Sequence, residues 1–235
     1  MPRCADGPAL QPFRNTMLQA VLFDVDGTLG DTLPLCVEAY RAATEEITGR
    51  RPSAEEVVSH FGLSDRGVLA ALLGMQPDDP TLPIECFVRA YERLMPQYAT
   101  APFPGARELL EALRAAGLRL GLVTGKEACT GEPTLDAFGL NDGIFEWKGY
   151  GSPYRNVKDM RLREAMEHWG LGPQQLLYVG DAPSDITLAR AAGVRILNAA
   201  WAPGAEADRA ACEAEHPDFR LTDIQEALPL ILSLT

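Results

Sequence analysis

Nowhere in the 235-residue sequence do 18 apolar residues run together, so no segment is expected to span a membrane. Paired cysteine spacing is missing as well. Cys4, Cys36, Cys86, Cys129 and Cys212 are scattered and odd in number, with no C-x-x-C among them. That excludes a disulfide framework and a cysteine zinc site, and it fits a reducing, cytoplasmic compartment. Histidine is scarce, and His60, His168 and His216 show no metal-ligand spacing, so all three read as structural. Positive charge is in deficit, with a formal net charge of −12. This argues against nucleic acid or an anionic membrane as partner. A small anion is still allowed, because a local cation can reverse the field inside one cleft. There is no G-x-x-x-x-G-K-[ST], no G-x-G-x-x-G after a strand and no G-x-S-x-G. P-loop and dinucleotide folds and serine hydrolases of the nucleophile-elbow type therefore drop out. Residues 1–16 have no apolar core of the kind a signal peptide needs. They read as a polar, proline-containing extension, and Met17 could be the true start.

What the sequence does have is an ordinary globular composition, 46% hydrophobic and 23% charged, enough for a sizeable core. Short apolar runs end in turn residues at LQAVLFD (Leu18 to Asp24), LRLGLVTG (near Thr124), QLLYVGD (Asp181) and VRILNAAW (Trp201), with a weaker one at IFEWKGYG. Runs of this kind read as buried parallel strands. Helical patterns separate them: ARELLEALRAAG, MRLREAMEHWG and DITLARAAG each close on a glycine. The alternation predicts an α/β fold, a Rossmann-like three-layer core with a central parallel sheet and helices on both faces. Between about Leu33 and Thr100 the alternation stops, and four helical stretches follow one another without a strand. An all-helical insert is expected there. The boundaries read from this are an extension over 1–16, a core over 17–32 and 101–235, and a helical cap over 33–100.

In an open parallel sheet, ligands bind beyond the carboxyl ends of the strands. Asp24, Thr124 and Asp181 each stand at such an end. Asp26 lies in the turn of VLFDVDGTLGDT, and Asp185 lies at a helix start in GDAPSDI. Carboxylates gathered this closely cannot all ionise without a counter-charge. A few hard oxygen ligands with positions open to water suit Mg2+.

DVDGT, Thr124 in LVTG, Lys158 in NVKDM and GDAPSD resemble the four motifs of the haloacid dehalogenase (HAD) superfamily. The likeness covers nearly the whole chain from Met17, including an insert similar to that family's helical cap of the C1 type. Phosphoglycolate-phosphatase-like members look most similar. The resemblance implies that Asp24 is the nucleophile and that Asp26 is the general acid and base. It further implies that Gly27, Thr124, Gly125 and Lys158 hold phosphoryl oxygens, with Lys158 neutralising charge. Mg2+ is implied at Asp24, the Asp26 carbonyl, Asp181 and Asp185. Dehalogenases lack a carboxylate where Asp26 stands, so its presence favours a phosphatase.

One departure is that Asp159 follows Lys158 where members usually have proline, and it could divert the lysine. Lys126 and Arg155 are then substitutes, though each reads more readily as a surface residue. Arg66 in GLSDRG is a candidate anion contact from the insert. The expectation is a Mg2+-dependent phosphatase for a small phosphorylated metabolite, working as a monomer or homodimer. A pyrophosphatase, a phosphomutase and a non-catalytic binding module stay open as alternatives.

Overall fold

The protein is described here by a computed structural model covering residues 17–99 and 101–235; the expected N-terminal extension lies outside them. Strand β1, Ala20–Phe23, has the sequence AVLF and is buried throughout. A strand covered on both faces has no solvent side, so its apolar run is continuous. It pairs in parallel with β2 (Arg119–Val123) on one side and with β4 (Leu176–Gly180) on the other. β3 (Trp147–Gly149) extends the sheet past β2, and β5 (Arg195–Ala199) and β6 (Phe219–Leu221) extend it past β4. The order is β3-β2-β1-β4-β5-β6, which puts β1 among the inner strands.

Side chains alternate across β1. Val21 and Phe23 join a core with Leu109, Leu110 and Leu113 of helix α5 (Ala106–Ala115). Ala20 and Leu22 join a second core with Leu162 of α7 (Lys158–Trp169) and Ile186 of α8 (Pro183–Ala192). Helices therefore cover both faces, and the expected three-layer fold is the one observed. Among the described residues, no helix is long and apolar enough to cross a membrane.

Four helices follow β1 before α5: α1 (Leu33–Thr48), α2 (Ala54–Val58), α3 (Asp65–Leu73) and α4 (Ile84–Tyr98). Cys36, Ala39, Tyr40 and Ala43 form the buried stripe of α1, at the spacing of one helix face. Tyr40 stacks on Phe87 of α4, with ring centroids 4.1 Å apart.

Two acidic residues fasten α3 to α6 (Ala128–Ala137). Glu127, at the start of α6, accepts hydrogen bonds from the Ser64 hydroxyl at 2.6 Å and the Arg66 N–H at 3.1 Å. Asp65 returns the favour to α6, accepting the Glu127 N–H at 2.9 Å and the Thr130 hydroxyl. Each helix start thus receives a carboxylate from the other, satisfying N–H groups that a helix leaves unpaired. Gly151 allows a further close approach, since a Cβ there would lie 2.1 Å from the Gly125 carbonyl oxygen.

Helix α6 and strand β6 are absent from the sequence expectations, as are α9 (Arg209–Ala214) and α10 (Ala227–Leu232). Gly131 and Pro133 interrupt any helical pattern in α6. β6 is three half-buried residues, Phe-Arg-Leu, too few to show a period.

Candidate active site

The carboxyl ends of β1, β2 and β4 meet, and the acidic residues beyond them converge. Asp24 follows β1 and is 5% exposed. Its Oδ1 accepts the Val25 N–H at 2.7 Å, and its Oδ2 accepts from Lys158 at 2.5 Å. Lys158 opens α7, and its Nζ also donates to Asp185 Oδ1 at 2.6 Å. Asp185 stands in the first turn of α8, where its Oδ2 accepts the Ala182 N–H at 3.0 Å. That carboxylate is held by the helix it starts. The Tyr178 hydroxyl sits behind it, 3.0 Å from the Val123 carbonyl oxygen and 3.2 Å from Asp185 Oδ1.

Asp159 does not divert Lys158. It faces Arg155, with 3.7 Å between Oδ1 and the guanidinium, and Arg155 is largely exposed. Lys158 itself is buried. Burial opposes its charge, but Asp185 and Asp24 outweigh that and hold its pKa well above the ordinary lysine value.

The remaining charges set up a deficit of cations. Burial pushes Asp24 up to about 6; Lys158 works against this, while Asp185 and Asp26 add to it. Asp181 is raised well above the usual carboxylate range by burial and then by Asp185 and Asp24. Its side-chain partner is the Thr28 hydroxyl at 3.4 Å, a weak bond. Asp24, Asp181 and Asp185 offer carboxylate oxygens that all lie within 4.8 Å of one another. Three hard oxygen donors, two of them sharing one lysine, fit a divalent cation.

Gly27 is shaped by this cluster. It has φ +73°, and a Cβ there would lie 2.2 Å from Asp181 Oδ2. Only a residue without a side chain lets the turn pass that close to the carboxylate.

Lys126 corrects the sequence reading. It is not a surface residue: it is 3% exposed. Its Nζ lies 3.1 Å from Asp26 Oδ1, 2.9 Å from the Tyr91 hydroxyl and 3.2 Å from Cys36 Sγ, and 4.6 Å from the Tyr91 ring centroid. Burial works against its charge, yet Asp26, Cys36, Tyr91 and Asp65 together keep its pKa well above the ordinary value. The one hint in the sequence was position, two residues beyond Thr124 at a strand end. The side-chain partners found for Asp26, which are Thr32, Lys126 and Cys36, are all on Oδ1.

A cavity of about 300 Å³ opens onto these groups. Asp24, Asp26, Gly125, Lys158 and Asp181 stand on its wall, roofed by residues of α1, α2 and α3. Gly27, Thr124 and Asp185 are not among the lining residues. Thr124 is buried, and its hydroxyl oxygen accepts the Lys126 N–H at 3.3 Å. Arg66 does not face this cavity; it lines a separate groove with Glu85, Arg89 and Glu127.

Residues 21–199 match the family model described as haloacid dehalogenase-like hydrolase. The chain belongs to that family. Within it, the chain is 31% identical over 227 residues to a phosphoglycolate phosphatase of Pseudomonas putida, covering 93% of this chain and 82% of that one. A phosphoglycolate phosphatase of Nitrosospira multiformis is 34% identical over 188 residues, covering 77% and 82%. Among solved structures, CbbY from Rhodobacter sphaeroides in complex with phosphate superposes with a TM-score of 0.64 at 25% identity, covering 77% of this chain and 86% of that one.

Proposed function

We propose that this hydrolase is a Mg2+-dependent phosphatase that cleaves a small phosphate monoester through an aspartyl-phosphate on Asp24. The observation that carries the reading is the buried Asp24–Lys158–Asp185 bridge at the end of the central strand. It fixes a carboxylate nucleophile beside a cation able to neutralise incoming phosphoryl oxygens. Attack of an Asp24 oxygen on phosphorus breaks the ester P–O bond. Asp26 gives the departing alkoxide its proton, then takes one from the water that attacks the acyl phosphate, freeing phosphate and regenerating Asp24. Because the partners of Asp26 gather on Oδ1, Oδ2 is the atom that carries this proton. The Gly125 N–H holds a phosphoryl oxygen, and Thr124 shapes the loop that presents Gly125; the Gly27 N–H, expected to do the same, is instead donated to the Gly30 carbonyl at 3.0 Å.

Asp24, the Asp26 carbonyl, Asp181 and Asp185 would hold Mg2+, whose charge offsets the repulsion between these carboxylates and the phosphate. The helical insert, residues 33–100, acts as a cap that excludes water from the cleft. The relatives' name makes phosphoglycolate one ester to test, within the wider class of small phosphorylated metabolites.

Phosphate release from a panel of small esters tests the reading. Release with Mg2+ should exceed release with EDTA at least about 100-fold, and beryllofluoride should block it by capping Asp24. Equal release with and without the metal sinks the metal-dependent reading.

Gly27→Ala is a second expected outcome. A Cβ at positive φ costs about 1 kcal/mol, and more where it meets a neighbour. Here it displaces Asp181. Stability should fall by about 1–2 kcal/mol in denaturant melts, and the Mg2+ concentration for half-maximal activity should rise about tenfold.

A further inference from the structure

The cleft also bears on what leaves with the phosphate's alcohol, a question that rests on the phosphatase reading above. Five aspartates line it, Asp24, Asp26, Asp65, Asp181 and Asp208, against two lysines and no arginine. Both lysines are engaged. Lys158 is divided between Asp24 and Asp185. Lys126 is bound to Asp26 and Tyr91, with its side chain 2% exposed. Arg155 faces Asp159, and Arg66 of α3 lines the separate groove. Asp65 faces the cleft too, but its oxygens already accept from Tyr40, Glu127 N–H and Thr130. Above this floor the roof is apolar: Leu33, Val37, Val58, Phe61, Leu63 and Val68.

We infer that the alcohol released carries no charge of its own and has an apolar body, so that esters bearing a second anionic group are the poorer substrates. A carboxylate entering this cleft would lose its water and meet aspartates with no unengaged cation among the lining residues, and burying an unpaired charge is strongly unfavourable. An apolar group in the same place covers the roof instead. Local charge and the roof's composition point the same way.

A matched pair of esters isolates the charge. Phosphoglycolate and its carboxyl methyl ester release nearly the same alcohol, differing in one negative charge. With Mg2+, kcat/KM for the methyl ester should exceed that for phosphoglycolate at least tenfold, and n-propyl phosphate should also be the better substrate. Val58→Lys, which puts a cation in the roof at a partly exposed position, should move the ratio toward phosphoglycolate. Phosphoglycolate turning over as well as its methyl ester, or better, overturns the inference and leaves the phosphatase reading standing. No phosphate released from any of the three esters, with Asp24→Asn indistinguishable from the unsubstituted chain, removes both.

Discussion

Asp24→Asn is expected to lower phosphate release on the order of 10⁴-fold or more, while the metal-free protein keeps its stability or gains some. The first half follows from chemistry, since an amide cannot form the acyl phosphate that the route requires. The second half follows from the charge around Asp24. Burial, opposed by Lys158 and aided by Asp185 and Asp26, raises its pKa from 3.8 to about 6. Between those values the folded protein binds a proton that the unfolded chain has already released. Stability therefore falls as pH rises through this window, and the loss is complete above the folded value. A shift of about two units corresponds to on the order of 3 kcal/mol. Asp181 is raised in the same direction, so its contribution has the same sign. Urea unfolding in EDTA should show stability declining from about pH 4 to pH 6, with a shallower decline for Asp24→Asn and a reduced one when Mg2+ is added. Turnover by the variant within tenfold of the parent would rule out Asp24 as the nucleophile.

The same residues show why parts of this molecule were legible in one dimension and others were not. β1, β2, β4 and β5 are inner or near-inner strands, and a strand covered on both sides must be apolar along its length. The leucine stripe of α5 is equally local. Asp24, Asp26, Asp181 and Asp185 stand at strand ends or helix starts, so the topology that places them in one crevice could be read from the alternation of elements; Lys158 came only with the resemblance of NVKDM to a family motif. Lys126 could not be read this way. Its cation is kept by Cys36 and Tyr91, 90 and 35 residues away in sequence, and by Asp26. Whether a lysine is buried depends on whether distant partners satisfy it, which no local pattern records. The loop GLSDRG misled for a related reason. Its arginine reads as a candidate anion contact, but Ser64 and Asp65 bind the start of α6, and Arg66 lines a separate groove. α6 was hidden by its own Gly131 and Pro133, so its helical state owes more to tertiary contacts than to local propensity.

Lys158→Met should be the most destabilising single change at the site. Its ammonium bridges Asp24 and Asp185 at 2.5 and 2.6 Å, and the three side chains are 8%, 7% and 0% exposed. A buried pair is weak evidence for stability when both partners can be exchanged for apolar groups, but removing one partner alone strands the other. Here the loss strands two carboxylates at once, beside Asp181, which is already held above the usual range. Metal-free unfolding free energy should fall by about 3–5 kcal/mol near neutral pH. The loss should shrink at pH 5, where Asp24 takes up a proton, and also with saturating Mg2+, because ligand binding to the folded state adds stability. On the proposed mechanism, activity should drop on the order of 10²–10³-fold even with Mg2+, since the cation assigned to the phosphoryl group is gone. The neighbouring Arg155–Asp159 pair supplies the contrast. Its contact is 3.7 Å long and its arginine is 57% exposed, so Arg155→Ala should shift stability by less than about 0.5 kcal/mol. If Lys158→Met in EDTA were as stable as Arg155→Ala, the buried bridge would not hold Asp24 and Asp185 together, and the residue following Lys158 would again matter to how this loop works.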